Sequence, residues 1–527
     1  MTIRVRNVSL NRRDVLRTGA AASASFAASG LFMPSISRAA DRPVITHGLQ
    51  SGDVSSSSGM IWARADRSSR MMVEWATSDD FSHASKVQAL DVTELTDFSG
   101  KLSLDGLPSD QDIFYKVQFV DLADMTTAGE AMVGTFRTAP MSKRDVSFVW
   151  SGDTAGQGWG IDVDRGGMKT YNTMTGHKPD FFIHSGDTVY ADGPIVAEKE
   201  MPGGGIWKSV AIEEKAKVAE TLNEFRAQYK YNMMDEHVRN FNAQVPMYVQ
   251  WDDHEVTNNW YPGEMLVSDD RYKVKSSSLL AARATQAFHE MNPIRPNASE
   301  PYRVYRKVSY GPLLDIFMID MRTYRGKNST NNQTERNGDT SFLGREQIDW
   351  LKREMLASKA TWKIVASDMP IGLVVGDGKT DFENGANGDG PVLGREFDIA
   401  EVLSFINANK IENTVWLTAD VHYTAAHYYD PNKAQFQDFA PFWEFVSGPL
   451  HAGSFGPNKL DNTFGPEVKY VKAPDEGQVN LPPSFGLQFF GHVKIDGKSE
   501  VMTVTLRDAA DAALWSIDLE PKRSNSI

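Results

Sequence analysis

The chain has 527 residues, too many for one small hydrophobic core, so we expect two domains or one elaborated domain. Its formal net charge of -14 argues against an electrostatic nucleic-acid binder, because no basic excess is available to displace counterions from phosphates. The sequence contains no cysteine, which excludes disulfides, thiolate metal ligands and cysteine nucleophiles. Any metal site must therefore use Asp, Glu, Asn, His or Tyr.

Residues 1–40 are predicted to be a targeting segment. Arg12 and Arg13 precede a weakly apolar run rich in Ala, Ser and Gly from Thr18 to Met33, and Ser37–Ala40 offers small residues for cleavage. This order resembles a twin-arginine export signal, which moves folded proteins. An ordinary secretory signal or a short anchor is the alternative, although the run is too short and too rich in Ser and Gly for a comfortable membrane span. We expect the twin-arginine export machinery as a partner and a periplasmic or secreted location.

Residues 41–140 read as a small all-β domain. Short alternating strands are predicted at Gly59–Arg64, Met72–Trp75 and Phe114–Val120, with turn residues between them. Strands of this length and spacing are typical of a β-sandwich. The stretch Leu104–Pro108, followed by Tyr115, resembles the tyrosine corner of fibronectin type III domains, so the expected fold is fibronectin- or immunoglobulin-like.

Residues 141–527 form the second predicted domain, and here the pattern changes to α/β. Apolar strands alternate with helical stretches, which is typical of a layered α/β fold. Strands are predicted at Val146–Trp150, Leu313–Ile319 and Trp362–Ala366, helices near Val210–Met233, Ser278–Met291, Arg345–Leu356 and Ile399–Asn407, and a hairpin at Val493–Val504.

Acidic residues follow the apolar strands of this second domain. The clusters are Ser151–Thr154, Gly186–Tyr190, Asp252–Glu255, Ser367–Pro370 and Asp420–His422. Strands that end on Asp, His or Tyr bring oxygen and imidazole ligands to one edge of a sheet. Several such edges that converge predict a site for more than one metal ion.

These clusters, in this order, resemble the calcineurin-like metallophosphoesterases and in detail the PhoD-type alkaline phosphatase/phosphodiesterase family. The resemblance is strongest in Trp251–Glu255, in Asp420 and His422, and in His47–Asp53 at the start of the β-sandwich. It spans nearly all of the chain after the signal. It implies a metallophosphoesterase β-sandwich flanked by helices and an activity on phosphate esters.

The first metal position departs from the PhoD-type pattern. That family usually has a cysteine ligand in the first cluster, where this chain has Gly152 and Asp153. Asp153, Asp187, Tyr190 and His422 together resemble the ferric site of purple acid phosphatases. A phenolate and carboxylates are hard anionic ligands, which favour Fe(III). The resemblance therefore implies Fe(III) at this position.

The second metal position is predicted to be held by carboxylates. The resemblance makes Asp187 the bridge between the two ions and gives Asp253, Asp368 and Asp420 as ligands of the second, Asp368 from its order and strand-end position alone. Carboxylates without imidazole suit Ca²⁺, Mn²⁺ or Mg²⁺ better than Zn²⁺. The resemblance favours Ca²⁺.

Three further residues are predicted to contact the substrate. The superfamily places a histidine facing the phosphate where this chain has His254, with the task of stabilising the phosphoryl group or protonating the leaving oxygen. Asn258 is a candidate hydrogen-bond donor to the phosphate. Arg322, at another strand end, is a candidate second donor or else a salt-bridged surface residue.

Other enzyme classes lack their motifs. A zincin would need a second histidine where Asn258 stands, and no Gly-x-Ser-x-Gly motif of an α/β-hydrolase occurs. Gly156, Gly158 and Gly160 do not open a helix after a strand, as a dinucleotide site requires.

The predicted activity is hydrolysis of phosphate mono- or diesters by attack of a metal-bound hydroxide. A phospholipase D-type phosphodiesterase is one alternative, and an apolar cavity mouth built by Trp260, Tyr261, Phe442 and Trp443 would favour it. A non-catalytic exported binding protein with a vestigial phosphatase domain is another, and loss of metal ligands would favour that.

Overall fold

The computed structural model of the chain describes residues 42–523. The predicted twin-arginine signal, residues 1–40, lies outside the described residues. The described helices, in chain order, are α1 (Lys169–Gly176), α2 (Leu222–Asn232), α3 (Glu236–Asn242), α4 (Ser277–Met291), α5 (Arg345–Ala357) and α6 (Glu396–Ala408). None of these helices combines the length and the apolar composition that a membrane crossing needs.

The strands of residues 42–523 are listed here in chain order. They are β1 (Ile45–Gly52), β2 (Ser58–Ala65), β3 (Ser69–Ala76), β4 (Ser85–Lys86), β5 (Leu90–Val92), β6 (Ser99–Asp105), β7 (Asp112–Asp121), β8 (Met132–Arg137), β9 (Val146–Ser151), β10 (Phe181–Ser185), β11 (Glu198–Glu200), β12 (Ile206–Lys208), β13 (Met247–Gln250), β14 (Arg306–Ser309), β15 (Leu314–Met318), β16 (Trp362–Ala366), β17 (Gly376–Asp377), β18 (Asp381–Phe382), β19 (Thr414–Thr418), β20 (Thr424–Tyr429), β21 (Phe442–Val446), β22 (Pro466–Lys472), β23 (Phe489–Ile495), β24 (Met502–Asp508) and β25 (Ala513–Leu519).

Two large sheets pack face to face and form the centre of the fold. One has the strand order β25-β24-β23-β9-β10-β13-β1-β2-β6, and the other β14-β15-β16-β19-β21-β20-β22. Buried side chains such as Phe148, Phe181, Ile316 and Leu417 fill the space between them. Helices α1–α4 pack on the outer face of the first sheet, and α5 and α6 on that of the second. This arrangement confirms the predicted layered α/β class.

The N-terminal region is all β, as predicted. A five-stranded sheet, with order β4-β3-β7-β8 and β5 beside β3, packs against β1, β2 and β6 around a core that includes Ile61, Val73 and Val117. Strands β1, β2 and β6 at the same time extend the first large sheet, where β1 meets β13 in parallel at Gly52 and Met247. The likeness to fibronectin and the boundary near residue 140 stay predictions.

Side chains of the N-terminal strands bind the C-terminal end of α4. Gln50 Nε2 donates to Met291 O at 3.0 Å, and Trp62 Nε1 donates to Glu290 O at 2.9 Å. The ammonium group of Lys101 donates to the carbonyls of His289 and Ile294. The last carbonyls of a helix have no partner within the helix. Three N-terminal strands therefore supply donors to a helix of the second predicted domain.

Most of the predicted elements are confirmed, with one error. The helices near residues 278–291, 345–356 and 399–407 are present, and β23 and β24 form the predicted C-terminal hairpin. The helix predicted from Val210 begins only at Leu222. Thr221 caps it, since its side chain accepts from Glu224 N while the Glu224 carboxylate accepts from Thr221 N. The residues before this capping box contain only a short 3-10 turn at Glu213–Lys215.

Candidate metal centre

The parallel strands of the two sheets bring the predicted acidic clusters to one place. Strands β9, β10 and β13 are parallel neighbours in the first sheet, and β16 and β19 in the second. Their carboxyl ends therefore point the same way within each sheet. Asp153, Asp187 and Asp420 follow these ends with positive φ angles of 66°, 50° and 67°. This conformation is uncommon for residues other than glycine, and it is typical of turns that position a functional side chain.

The first group of candidate ligands is formed by Asp153, Asp187 and His422. One ligand atom from each lies within 4.8 Å of the others, and all three residues are buried. The hydroxyl of Tyr190 lies 2.9 Å from His422 Nε2, so the phenol belongs to the same group. His422 Nδ1 contacts the carbonyl of Gly453, which leaves Nε2 facing the group. The structure thus brings together all four residues predicted for the first metal.

Two further groups continue from the first. Asp187 also meets Asp253 and His254, and Asp253 also meets Asp252 and Asp420. Asp187 is therefore shared between neighbouring groups, as the predicted bridging ligand must be. Asp368, predicted as a ligand of the second metal, is fully buried but belongs to none of these groups.

The donor atoms of the first two groups fit a metal cation. Both carboxylate oxygens of Asp153 and one each of Asp187 and Asp253 are buried without a hydrogen-bond partner among residues 42–523. Burial and then the neighbouring carboxylates raise the pKa of Asp153 and Asp187 well above the usual range. A bound cation would satisfy these oxygens and allow the carboxylates to ionise together. The hard oxygen donors, together with the imidazole of His422, suit the predicted ions.

Arg322 is a buried cation beside the third group, which Asp252, Asp253 and Asp420 form. Its guanidinium is 0% exposed, so the alternative that it is a surface residue is wrong. Its nitrogens lie 2.5 Å from Asp252, 2.5 Å from Glu383, 3.5 Å from Asp368, 3.9 Å from Asp253 and 3.9 Å from Asp420. Arg322 does not line the open cavity above the carboxylates. We therefore assign it the neutralisation of these carboxylates in place of the predicted contact with phosphate.

An open cavity of about 310 Å³ lies over the acidic groups. Of the predicted site residues, it exposes Asp187, Asp253, His254, Asn258, Asp420 and His422. Its lining includes none of Trp260, Tyr261, Phe442 and Trp443. The apolar mouth that would favour a phospholipid substrate is therefore not built by these residues.

His254 is fixed by a residue that sequence reasoning missed. Its Nδ1 lies 2.7 Å from Asp192 Oδ1, and Asp192 Oδ2 accepts from Asn258 N at 2.8 Å. The ring of Tyr190 packs on the imidazole with 4.3 Å between centroids. Burial disfavours the imidazolium, but Asp192 and Asp253 prevail and raise the pKa of His254 to about 10. Asp192 therefore favours the protonated form of His254 at the cavity wall.

Two more acidic residues were not predicted as members of the site. Asp252 belongs to the third group. Glu383 lines the cavity and contacts Arg322, yet it follows the very short strand β18 and gives no strand-end signal. Glu255 orients its neighbours, since its carboxylate accepts from Thr188 N and from Asp252 N.

If the chain hydrolyses phosphate esters, as the resemblance implies, replacing Asp192 with asparagine should lower turnover of alkyl phosphate esters by about tenfold to a hundredfold, because His254 loses the charge that favours its protonated form. An ester of p-nitrophenol should be affected less, since this leaving group needs little protonation. Steady-state kinetics on both esters measures the difference. Asp164→Asn, at an exposed loop position, is the matched control. Equal losses on both esters would contradict the proton-donor role of His254.

Comparison with known proteins finds matches over most of the chain. The family model described as PhoD-like phosphatase matches residues 148–506, and that of the PhoD-like phosphatase N-terminal domain matches residues 30–140. Alkaline phosphatase D of Bacillus subtilis (strain 168) is 26% identical over 444 residues, which are 79% of this chain and 71% of that protein.

Two solved structures share the fold. The structure of PhoD superposes with a TM-score of 0.66 at 19% identity and covers 92% of this chain and 93% of its own. A purple acid phosphatase from yellow lupin (Lupinus luteus) seeds gives a TM-score of 0.54 at 12% identity, over 91% of this chain and 74% of its own. At these identities the likeness establishes the fold alone.

Proposed function

Because the chain belongs to the PhoD-like phosphatase family, we propose that it is an exported, metal-dependent hydrolase that releases the alcohol from phosphate mono- or diesters. The observation that carries this proposal is the shared carboxylate of Asp187, which joins the group of Asp153 and His422 to the group of Asp253 under one open cavity. A phosphate ester in that cavity would lie beside ligands for two cations at once. The four residues predicted for the first metal lie together, which speaks against the vestigial, non-catalytic alternative.

Different residues of the cavity are proposed to bind the metal ions, to donate a proton and to bind the phosphoryl group. The carboxylates, Tyr190 and His422 would hold the metal ions, which when bound neutralise the phosphate and lower the pKa of a water molecule toward neutrality. His254 faces the cavity as a protonated imidazole and donates its proton to the leaving alcohol oxygen. Asn258 also lines the cavity, and its side-chain amide has no partner among residues 42–523, so it is free to donate to a phosphoryl oxygen.

The two positions are proposed to hold unlike metals. A phenolate, two carboxylates and one imidazole favour Fe(III) at the position of Asp153, Asp187, Tyr190 and His422. At the second position Asp187, as the bridge, and Asp252, Asp253 and Asp420 supply only carboxylate oxygens, which favour Ca²⁺, with Mn²⁺ or Mg²⁺ as alternatives.

Export by the twin-arginine route is proposed from Arg12 and Arg13. The double substitution Arg12→Lys with Arg13→Lys should leave the protein in the cytoplasm of its host, as cell fractionation would show. Undiminished export of this variant would point to the ordinary secretory route.

The activity is tested with the purified full-length protein. After loading with Fe(III) and Ca²⁺, it should hydrolyse p-nitrophenyl phosphate and bis(p-nitrophenyl) phosphate, and prior metal removal by a chelator should abolish both reactions. No turnover of either ester by the metal-loaded protein would favour the non-catalytic alternative. Protein with Asp187 substituted serves as the matched inactive control.

Replacing Tyr190 with phenylalanine should abolish a visible absorption band, because the band arises from charge transfer between a phenolate and Fe(III). The absorption spectrum and a metal analysis of the iron-loaded protein measure this. Tyr171→Phe is a matched control, since Tyr171 is also buried but bonds Thr154 Oγ1 at 2.9 Å and is not a predicted ligand. A colourless protein that contains zinc and no iron would overturn the ferric assignment.

A further inference from the structure

The loop after Asp153 runs directly past the first group of ligands. Gly156 lies against the ring of Tyr190, where a Cβ atom would come within 2.3 Å of the ring carbons. Gly156 N also donates to His451 O at 3.2 Å, which holds the loop in this position. The next residue, Gln157, lines the open cavity together with Asp187 and His422.

The backbone of Gln157 is held in an unfavourable conformation. Its φ angle is +60°, in the left-handed region that residues other than glycine and asparagine seldom adopt. Two donors from distant parts of the chain fix its carbonyl: Lys199 Nζ at 2.7 Å and Asn480 Nδ2 at 3.3 Å. Lys199 itself lies over the ring of Trp159 at 3.8 Å. Strain maintained by such contacts is typical of a position where side-chain placement matters.

Four amide side chains line the cavity: Gln157, Asn258, Asn259 and Asn458. The side-chain amide of Gln157 has no hydrogen-bond partner among residues 42–523. Asn259 donates its amide to Asp377, and Asn458 donates to Val374 O. Gln157 and Asn258 are therefore the two lining amides left free. Within residues 42–523, no lysine or arginine lines the cavity. Apart from His254 and any metal ion that binds, the cavity lining therefore offers an anionic substrate only neutral hydrogen-bond donors.

We propose that Gln157 is a further substrate-binding residue, whose side-chain amide donates a hydrogen bond to the phosphoryl group beside Asp153, Asp187 and His422. This inference rests on the proposed phosphate-ester hydrolysis. A neutral donor adds affinity for a phosphoryl oxygen without adding a charge that would retain the phosphate product. Because the hydrogen bond is made to the phosphoryl group, the affinity for inorganic phosphate should depend on Gln157 as much as the affinity for the ester does.

The test compares Gln157→Ala, Gln157→Gly and Gln157→Glu in the metal-loaded, full-length protein. Alanine and glycine both remove the amide but have opposite preferences at a positive φ angle. Both should lower kcat/KM for p-nitrophenyl phosphate by about tenfold and raise the inhibition constant of inorganic phosphate by about as much. Glutamate should lower kcat/KM by about a hundredfold, since a carboxylate replaces the donor. Gln478→Ala, at an exposed position, is the matched control.

Metal content and the midpoint of thermal unfolding should stay at the wild-type values in the alanine variant. A loss in Gln157→Ala that Gln157→Gly does not share would assign the effect to the backbone and overturn the inference. An unchanged inhibition constant for inorganic phosphate would also overturn it. If the wild-type protein hydrolyses no phosphate ester, the proposed function itself fails, and this outcome is distinct from an active wild type with an equally active Gln157→Ala.

Discussion

Asp187→Asn is expected to remove metal from both positions and to lower phosphate-ester hydrolysis by at least about a thousandfold, since bound metal stabilises the developing charge by several kcal/mol. The reason is geometric: one oxygen of Asp187 meets the group of Asp153 and His422, while the residue also meets Asp253 and His254. An asparagine keeps the size of the side chain but loses the charge that both ions share. Metal analysis of the purified variant and assays with mono- and diesters measure the two effects.

Two comparisons make this result specific to the bridge. Asp270→Asn removes an exposed carboxylate and should change neither metal content nor activity. Asp153→Asn should weaken metal binding at the first position but leave the ion held by Asp253 and Asp420 in place. Full metal content in Asp187→Asn, or loss of only one ion, would refute the bridging role.

Arg322→Met is expected to destabilise the metal-free protein by about 3–5 kcal/mol, because breaking a buried ion pair leaves uncompensated charge in the interior. The guanidinium is the cation that faces Asp252, Asp253 and Glu383 from below. Bound Ca²⁺ would replace part of the missing positive charge, so the loss should be smaller in its presence. Urea unfolding with a chelator and with saturating Ca²⁺ measures both values.

A second buried arginine provides the control. Arg226 is 4% exposed in its side chain and pairs with a single carboxylate, Glu290, at 2.7 Å. Arg226→Met should be destabilising as well, but equally so with and without Ca²⁺, since it lies outside the acidic groups. A metal-independent loss in Arg322→Met would show that the arginine does not neutralise the metal-binding carboxylates.

The sequence is sufficient to predict the strands and the acids that end them. A short apolar run closed by Asp, as at Phe182–Asp187, carries both the strand and the ligand in adjacent residues, so the local pattern contains the whole signal. The same holds for the helices with clear apolar periodicity, such as α4 and α5. The false start at Val210 arose because Val218 and Ala219 are buried without being helical. Apolar spacing alone does not separate these two cases.

The roles of residues that depend on tertiary contacts could not be predicted from the local sequence pattern. Asp192 lies in a turn after β10, and only folding brings it to His254. The burial of Arg322 depends on five carboxylates from four different parts of the chain, which no local pattern reports. Gln157 was passed over because its glycine neighbours were considered only as a dinucleotide motif.

The strand order of the first sheet also constrains when the chain can fold. β9, which Asp153 follows, lies between β10 and β23, and the pairing with β23 joins Val146 to Ile495. Contacts so distant in sequence form slowly, and until β23 has been synthesised one edge of β9 has no partner. The strand that precedes Asp153 therefore gains both of its neighbours only after the C-terminal strands have been synthesised. A fold that is completed only after synthesis of the whole chain is compatible with the proposed export route, which accepts folded proteins.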